Sequence, residues 1–175
     1  MVIMGRSTLC LAIALPVLLL AGCPLVSDYP LSDPKAARID SSLLGSWRIE
    51  GQDANDRGSL TLFPFDEHEL VGVAREEKTG KLEAFRAFAT EVRGERFLNA
   101  RELGGGSAGW YILNYRLDGQ KLLLRPVDDG LFREAKVSSS AEILGLVESG
   151  LDDPKLYAAK ESGVSVDMVL TRAED

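Results

Sequence analysis

The stretch "GWYILNYRLDGQKLLLRPV", residues 109–127, decides the fold. Two apolar runs flank Asp118-Gly119, and an Asp-Gly pair between apolar runs is a strong short-range signal for a β-hairpin. In the first run the residues alternate with a period of two, so that one side holds Tyr111, Leu113, Tyr115 and Leu117 and the other holds Trp110, Ile112, Asn114 and Arg116. This alternation predicts a half-buried strand.

Similar runs extend the hairpin in both directions. Upstream, turn-rich segments separate five runs of strand composition, at residues 45–50, 58–65, 68–75, 83–92 and 95–101. Downstream, residues 131–137 follow Asp129-Gly130, and apolar residues alternate with other residues over 164–171. Regularly spaced strands with short turns predict a mainly β protein built as an antiparallel meander.

One helix interrupts the strands, at residues 139–150. Ser139 is followed three residues later by Glu142, as in a capping box, and Gly150 can end the helix. Ile143, Leu144 and Val147 share one helical face. A second short turn is predicted to start at Asp152 or Asp153, ahead of Pro154. The sequence therefore places one short helix before the last strand.

The meander has two possible arrangements. It can close into a barrel, which removes the exposed strand edges that invite aggregation. It can also remain an open, strongly curled sheet packed over the helix.

The start of the first predicted strand, Gly45-Ser46-Trp47, resembles the G-x-W motif of lipocalins. The resemblance implies an eight-stranded barrel in which an Arg at the end of the last strand packs over the Trp at the closed end. Arg172 is the candidate for that cation–π contact. The sequence has no Thr-Asp-Tyr motif and no disulfide, so a barrel of lipocalin-like shape without the family's ligand function is the alternative.

The amino terminus has the order of an export signal. Arg6 is the only charged residue before Asp28, and residues 9–20 form an apolar run of about 12 residues. A permanent membrane-spanning helix needs roughly 20 apolar residues, so a cleaved signal is favoured.

The signal ends in Leu20-Ala21-Gly22-Cys23, which resembles the lipobox of bacterial lipoproteins. The resemblance implies cleavage between Gly22 and Cys23, a diacylglycerol on the Cys23 thiol and an acyl chain on the new amino terminus. Pro24, where an Asp would retain an enterobacterial lipoprotein in the inner membrane, implies an outer-membrane anchor facing the periplasm. The alternative is a secreted protein with an ordinary cleavage site and a free Cys23.

The cysteine count is consistent with this lipid anchor. The chain has two cysteines, and Cys10 lies within the signal. After cleavage Cys23 has no intramolecular partner, and two or more acyl chains make membrane attachment stable.

The sequence predicts three regions, a signal peptide over 1–22, a membrane tether over 23–38 and one β-rich domain over 39–175. The tether prediction depends on three prolines and the absence of a helical or alternating pattern in residues 24–38. The alternative is that part of this segment packs on the domain, for example through Tyr29. The net charge of −7 argues against nucleic acid as a partner.

The sequence gives little support for catalysis, a cofactor or a metal. His68 is the only histidine and stands among Asp66, Glu67 and Glu69. Neighbouring strand residues point to opposite faces, so a solvated turn is the simpler interpretation. The glycine run at 104–106 lacks the Lys-Ser or Lys-Thr of a phosphate-binding loop. We therefore expect no catalytic residues.

Strand aromatics offer the better indication of a binding site. Phe85, Tyr111 and Tyr115 are candidates for a pocket that takes a hydrophobic small molecule. Simple core packing is the alternative, in a filled barrel that serves as a protein-interaction or structural envelope module. A carrier needs a cavity of at least ~300 Å³.

Overall fold

The computed structural model describes residues 26–49, 57–104, 109–128, 135–157 and 167–174. These residues form nine strands: β1 Val26–Ser27, β2 Gly45–Ile49, β3 Gly58–Pro64, β4 Leu70–Glu76, β5 Leu82–Val92, β6 Glu95–Leu103, β7 Trp110–Asp118, β8 Lys121–Pro126 and β9 Met168–Arg172. They also form a helix, α1 Ser140–Gly150, and 3-10 turns at Pro34–Ala36, Ser41–Leu43 and Pro154–Leu156.

Strands β2 to β9 form a closed eight-stranded barrel. Each strand pairs antiparallel with the next along the chain, and β9 pairs back with β2. The predicted mainly β meander that closes on itself is confirmed, and the open curled sheet is wrong. In the β7–β8 hairpin Asp118 pairs with Lys121, so the two loop residues are Gly119 and Gln120, one residue later than predicted.

The barrel interior is an apolar core built by the period-two alternation. Tyr111, Leu113 and Tyr115 of β7 point inward, as their spacing predicts, and Leu117 packs against the same core. The other strands contribute the remaining buried members, among them Trp47, Leu60, Leu62, Leu70, Ala87, Leu98, Leu122, Leu124 and Leu170.

A second core lies outside the barrel, over β6 and β7. Ile143 and Val147 of α1 pack with Phe97 and Ile112, as their shared helical face predicts. Strand β7 is therefore buried on both faces over Trp110 to Tyr115, and the prediction of a half-buried strand is wrong there. Ser139 accepts the amide of Glu142 as the helix N-cap, and Asp153 caps the turn at Pro154.

The amino-terminal segment, residues 26–40, runs across the outside of the barrel. Val26 and Ser27 pair with β7, and Leu31 and Ala37 are buried. The buried Asn99 accepts the amide of Leu31 at 2.8 Å. A free tether is therefore wrong from Val26 onward, because spaced apolar residues and one buried amide fix the segment despite its prolines.

Part of the segment packs on the domain, as the alternative interpretation proposes, with Leu31 and Ala37 buried and Tyr29 37% exposed. The predicted signal, the cleavage site at Gly22 and Cys23, residues 23–25 and most of the predicted strand at 131–137 lie outside the described residues. Within the described part of the chain, no helix has the length and apolar character needed to cross a membrane.

Candidate functional site

One end of the barrel, termed the closed end, is built around Trp47 and Arg172. The Arg172 guanidinium carbon lies 4.2 Å from the centre of the Trp47 ring, and the two residues are direct cross-strand partners. Arg172 also donates to the carbonyls of Leu44 at 2.8 Å and Ser42 at 2.6 Å. The geometry that the lipocalin resemblance implies is present in the molecule.

Gly45 makes this arrangement possible. Its φ is +109°, and a Cβ atom there would lie 3.1 Å from Nη1 of Arg172. A positive φ of this kind is accessible to glycine and disfavoured for other residues. The glycine of Gly45-Ser46-Trp47 therefore turns the chain from the 3-10 turn at Ser41–Leu43 into β2 beneath the arginine.

A polar cluster of Asp40, Arg96 and Tyr115 lies at the same end. Asp40 accepts hydrogen bonds from the Tyr115 hydroxyl at 3.0 Å and from Arg96 at 2.9 Å. Partial burial alone raises the pKa of Asp40, but hydrogen bonds from Ser42 and Tyr115, with the charge of Arg96, hold it below 3.8. Burial, followed by the charge of Asp40, raises the pKa of Tyr115 above its ordinary value of 10.0.

The opposite end, termed the cavity end, holds a cavity of about 80 Å³ that is partly open to solvent. Phe85 and Tyr111 line it together with aliphatic residues, among them Ile49, Leu60, Leu98, Leu124, Met168 and Leu170. The Phe85 ring fills much of this end, because it lies over its cross-strand partner Gly72. A Cβ atom on Gly72 would lie only 2.2 Å from the ring.

The three predicted pocket residues do not form one site. Phe85 and Tyr111 line the cavity, whereas Tyr115 belongs to the polar cluster at the closed end. The lining also includes Glu83 and Glu102, which the sequence analysis did not single out. The strand period of two could have identified both, since Glu83 lies two residues before the inward Phe85 and Glu102 lies two residues after the inward Ala100.

Two surface features lie outside the barrel. Phe63, near the end of β3, and Phe65, in the β3–β4 turn, are exposed near the closed end. The Arg86 guanidinium lies 4.1 Å from the Phe65 ring. A polar groove of about 1010 Å³ lies along the outer faces of β2 to β4 and is lined by three arginines, Arg48, Arg57 and Arg75. Arg48 and Arg75 both pair with Ser59, from either side.

His68 has a structural contact rather than the open solvent predicted for it. Its Nδ1 lies 2.8 Å from the carbonyl oxygen of Ala37, so the ring fastens the amino-terminal segment to the β3–β4 turn. Asp66 accepts the amides of His68 and Glu69, and these bonds lower its pKa. Among the residues whose structure is described, no three His, Cys, Asp or Glu side chains cluster in a way that could hold a metal ion.

The fold is an eight-stranded antiparallel barrel, and its closed end is capped by an arginine–tryptophan contact. No family model matches the chain, and searches of curated proteins and of solved structures gave no significant match.

Proposed function

We propose that this chain is a lipid-anchored cell-envelope protein whose filled barrel is a scaffold for binding a protein partner at its outer surface. The size of the internal cavity carries this proposal. Its volume of about 80 Å³ is well below the ~300 Å³ at which small-molecule pockets begin. A barrel filled in this way has surface rather than interior available for binding, and the proposal assigns it no enzymatic activity.

The anchor in this proposal is Cys23. Its support is the resemblance of Leu20-Ala21-Gly22-Cys23 to a lipobox, together with the short apolar run before it. We place the protein on the periplasmic side of the outer membrane, because Pro24 rather than Asp follows the cysteine.

The partner surface in this proposal is the β3–β4 turn. Phe63 is 49% and Phe65 is 55% exposed, which is unusual for such large apolar side chains. Arg86 lies against Phe65 and is also bonded to Glu69 at 2.6 Å. Aromatic residues and arginine dominate the energetic centres of protein interfaces. The partner that fits is a protein with an apolar recess and a basic rim facing the exposed Asp66 and Glu67.

Photo-crosslinking in intact cells tests this surface. A benzoylphenylalanine at position 65 should give a discrete crosslinked protein, and the same residue at position 169 should not. Val169 is a matched control, since it is 39% exposed and lies on β9, away from the turn. No crosslink at position 65, or the same product at both positions, contradicts the proposed surface.

A small apolar ligand is a second candidate, favoured by the predominantly aliphatic and aromatic lining around Phe85 and Tyr111. Displacement of the Phe85 ring from Gly72 would enlarge the cavity. Native mass spectrometry of unlipidated residues 23–175 distinguishes the two candidates. The filled barrel predicts the mass of the bare polypeptide, whereas a retained lipid or metabolite selects the carrier.

A further inference from the structure

The amino-terminal segment begins at the cavity end of the barrel. Val26 pairs with Tyr111, which lines the cavity. Only Pro24 and Leu25 separate Val26 from Cys23. Three Cα–Cα steps of 3.8 Å reach at most about 11 Å, so a lipid on Cys23 is held close to the cavity end.

Exposed apolar side chains are found at this same end. Leu82 begins β5 and is 64% exposed, Leu103 ends β6 and is 41% exposed, and Val26 is 46% exposed. The two leucines are near neighbours, because Leu103 pairs with Ala84, two residues after Leu82. Transfer of exposed aliphatic groups from water to an apolar environment is favourable, and groups of them at one place mark interaction or membrane sites.

Arginines accompany the apolar groups. Arg48 and Arg75 are the last residues but one of β2 and β4, and Arg57 directly precedes β3. All three therefore lie towards the cavity end, where they line one groove with Glu77. The groove therefore has three positive charges and one negative charge among its lining residues, in contrast with the net charge of −7 of the whole chain. Guanidinium groups bind phosphate oxygens strongly.

From these three observations we infer that the cavity end is a membrane-docking surface. The Leu82, Leu103 and Val26 side chains enter the interfacial layer of the bilayer, and Arg48, Arg57 and Arg75 contact phospholipid phosphates. The inference rests on the proposed lipid anchor at Cys23. In this orientation the exposed Phe63 and Phe65 face away from the membrane, towards the periplasm.

Fluorescence quenching in vesicles tests this orientation with the full-length lipoprotein produced in bacteria. A single cysteine is introduced as Leu103→Cys, or as Phe63→Cys for the control at the closed end. In the acylated protein this cysteine carries the only free thiol, because Cys10 leaves with the signal and Cys23 is occupied. Each labelled protein is inserted into phosphatidylcholine vesicles whose acyl chains carry a nitroxide quencher.

The expected result is severalfold stronger quenching of the label at position 103 than of the label at position 63. Equal quenching at both positions in acylated protein overturns the docking surface and leaves the anchor intact. Absence of acyl chains from Cys23, read from the mass of the amino-terminal peptide of the same sample, overturns the anchor and this orientation together.

Two further variants separate the contribution of the short connection to Cys23 from that of the groove arginines. Insertion of about ten Gly and Ser residues between Leu25 and Val26 gives a flexible linker and should reduce the difference between the two labels. When the anionic lipid phosphatidylglycerol is added to the vesicles, quenching of the label at position 103 should become stronger. The double substitution Arg48→Gln and Arg75→Gln should remove this increase. The control Arg116→Gln, at an exposed position of the closed end, should leave it unchanged. An unchanged signal in either variant contradicts its assigned role.

Discussion

The Arg172 guanidinium lies across the face of Trp47, 4.2 Å from the ring centre, and joins the last barrel strand to the first. Trp47 is fully buried and donates its indole N–H to the carbonyl of Leu43 at 2.9 Å. Arg172 donates to Ser42 and Leu44. The pair therefore fastens the 3-10 turn at Ser41–Leu43 over the closed end and seals the barrel there.

The Arg172→Ala substitution should lower the free energy of unfolding by about 2–3 kcal/mol. It removes a cation–π contact of ~0.5–2 kcal/mol and two charge-assisted hydrogen bonds. Arg172→Lys should recover part of the loss, since it keeps the charge but not the planar fork. Urea denaturation measures both variants. Arg48→Ala, exposed on β2, is the control, and equal losses for the two alanine variants would contradict the account.

A Gly72→Ala substitution should destabilise the barrel by about 1–3 kcal/mol, the usual cost of overpacking a core. The new methyl group would occupy the space of the Phe85 ring. The loss should shrink in the double variant Gly72→Ala, Phe85→Leu, and a double-mutant cycle in urea measures the coupling. Gly145→Ala is the control, because Gly145 is an exposed position of α1 and a Cβ atom added there would have no atom within 4 Å. If the stability losses of the two single substitutions simply add in the double variant, the Phe85 ring does not lie against position 72.

An Asn99→Ala substitution should release the amino-terminal segment. Asn99 is buried on the outer face of β6, accepts the Leu31 amide and donates to Thr90 at 2.9 Å. Loss of the buried acceptor should cost about 1–3 kcal/mol. Hydrogen exchange should accelerate at Leu31 and Ala37. In Asn114→Ala, where the lost side chain contacts Glu95 and Arg96 instead, exchange in this segment should stay slow.

Asp40 and Tyr115 should give the barrel two pH-dependent losses of stability, one from the hydrogen bonds that Asp40 accepts from Ser42 and Tyr115 and one mainly from the burial of Tyr115. The lowered pKa of Asp40 adds stability that is present above its ordinary value of 3.8 and is lost as the pH falls below it. The raised pKa of Tyr115 adds stability that is present below 10.0 and is lost as the pH rises above it.

Thermal melts of Tyr115→Phe against pH test the alkaline loss. The variant should be less sensitive than the parent above pH 10, and Asp40→Asn should flatten the acid side. Burial also raises the pKa of Tyr157, so Tyr157→Phe measures the part of the alkaline loss that does not belong to the closed end. An alkaline slope unchanged by Tyr115→Phe would show that ionisation of the buried Tyr115 contributes nothing to the alkaline loss.

Local sequence signals predicted most of the barrel. Strand alternation identified the inward face of β7, and a capping residue identified the start of α1, because these signals act over a few neighbouring residues. The contact of Arg172 with Trp47 was anticipated through the family resemblance. The two residues are far apart in the sequence, so no local pattern could have paired them.

What the sequence could not predict is the second layer outside the barrel. Leu31 and Ala37 stand among prolines without a period, so their burial against Asn99 and Trp110 has no local signature. The same layer buries the outer face of β7. The size of the cavity was equally hidden, because it depends on the close approach of Phe85 to Gly72, a contact between neighbouring strands.

The proposed lipid anchor is tested most directly by the intact mass of the protein extracted with detergent from bacterial membranes. The account predicts a chain that begins at Cys23 and exceeds the mass of residues 23–175 by a diacylglycerol and an amide-linked acyl chain. It also predicts that Cys23→Ser leaves no acylated product. An unmodified chain with a free Cys23 thiol, or one cleaved at another position, would contradict the account.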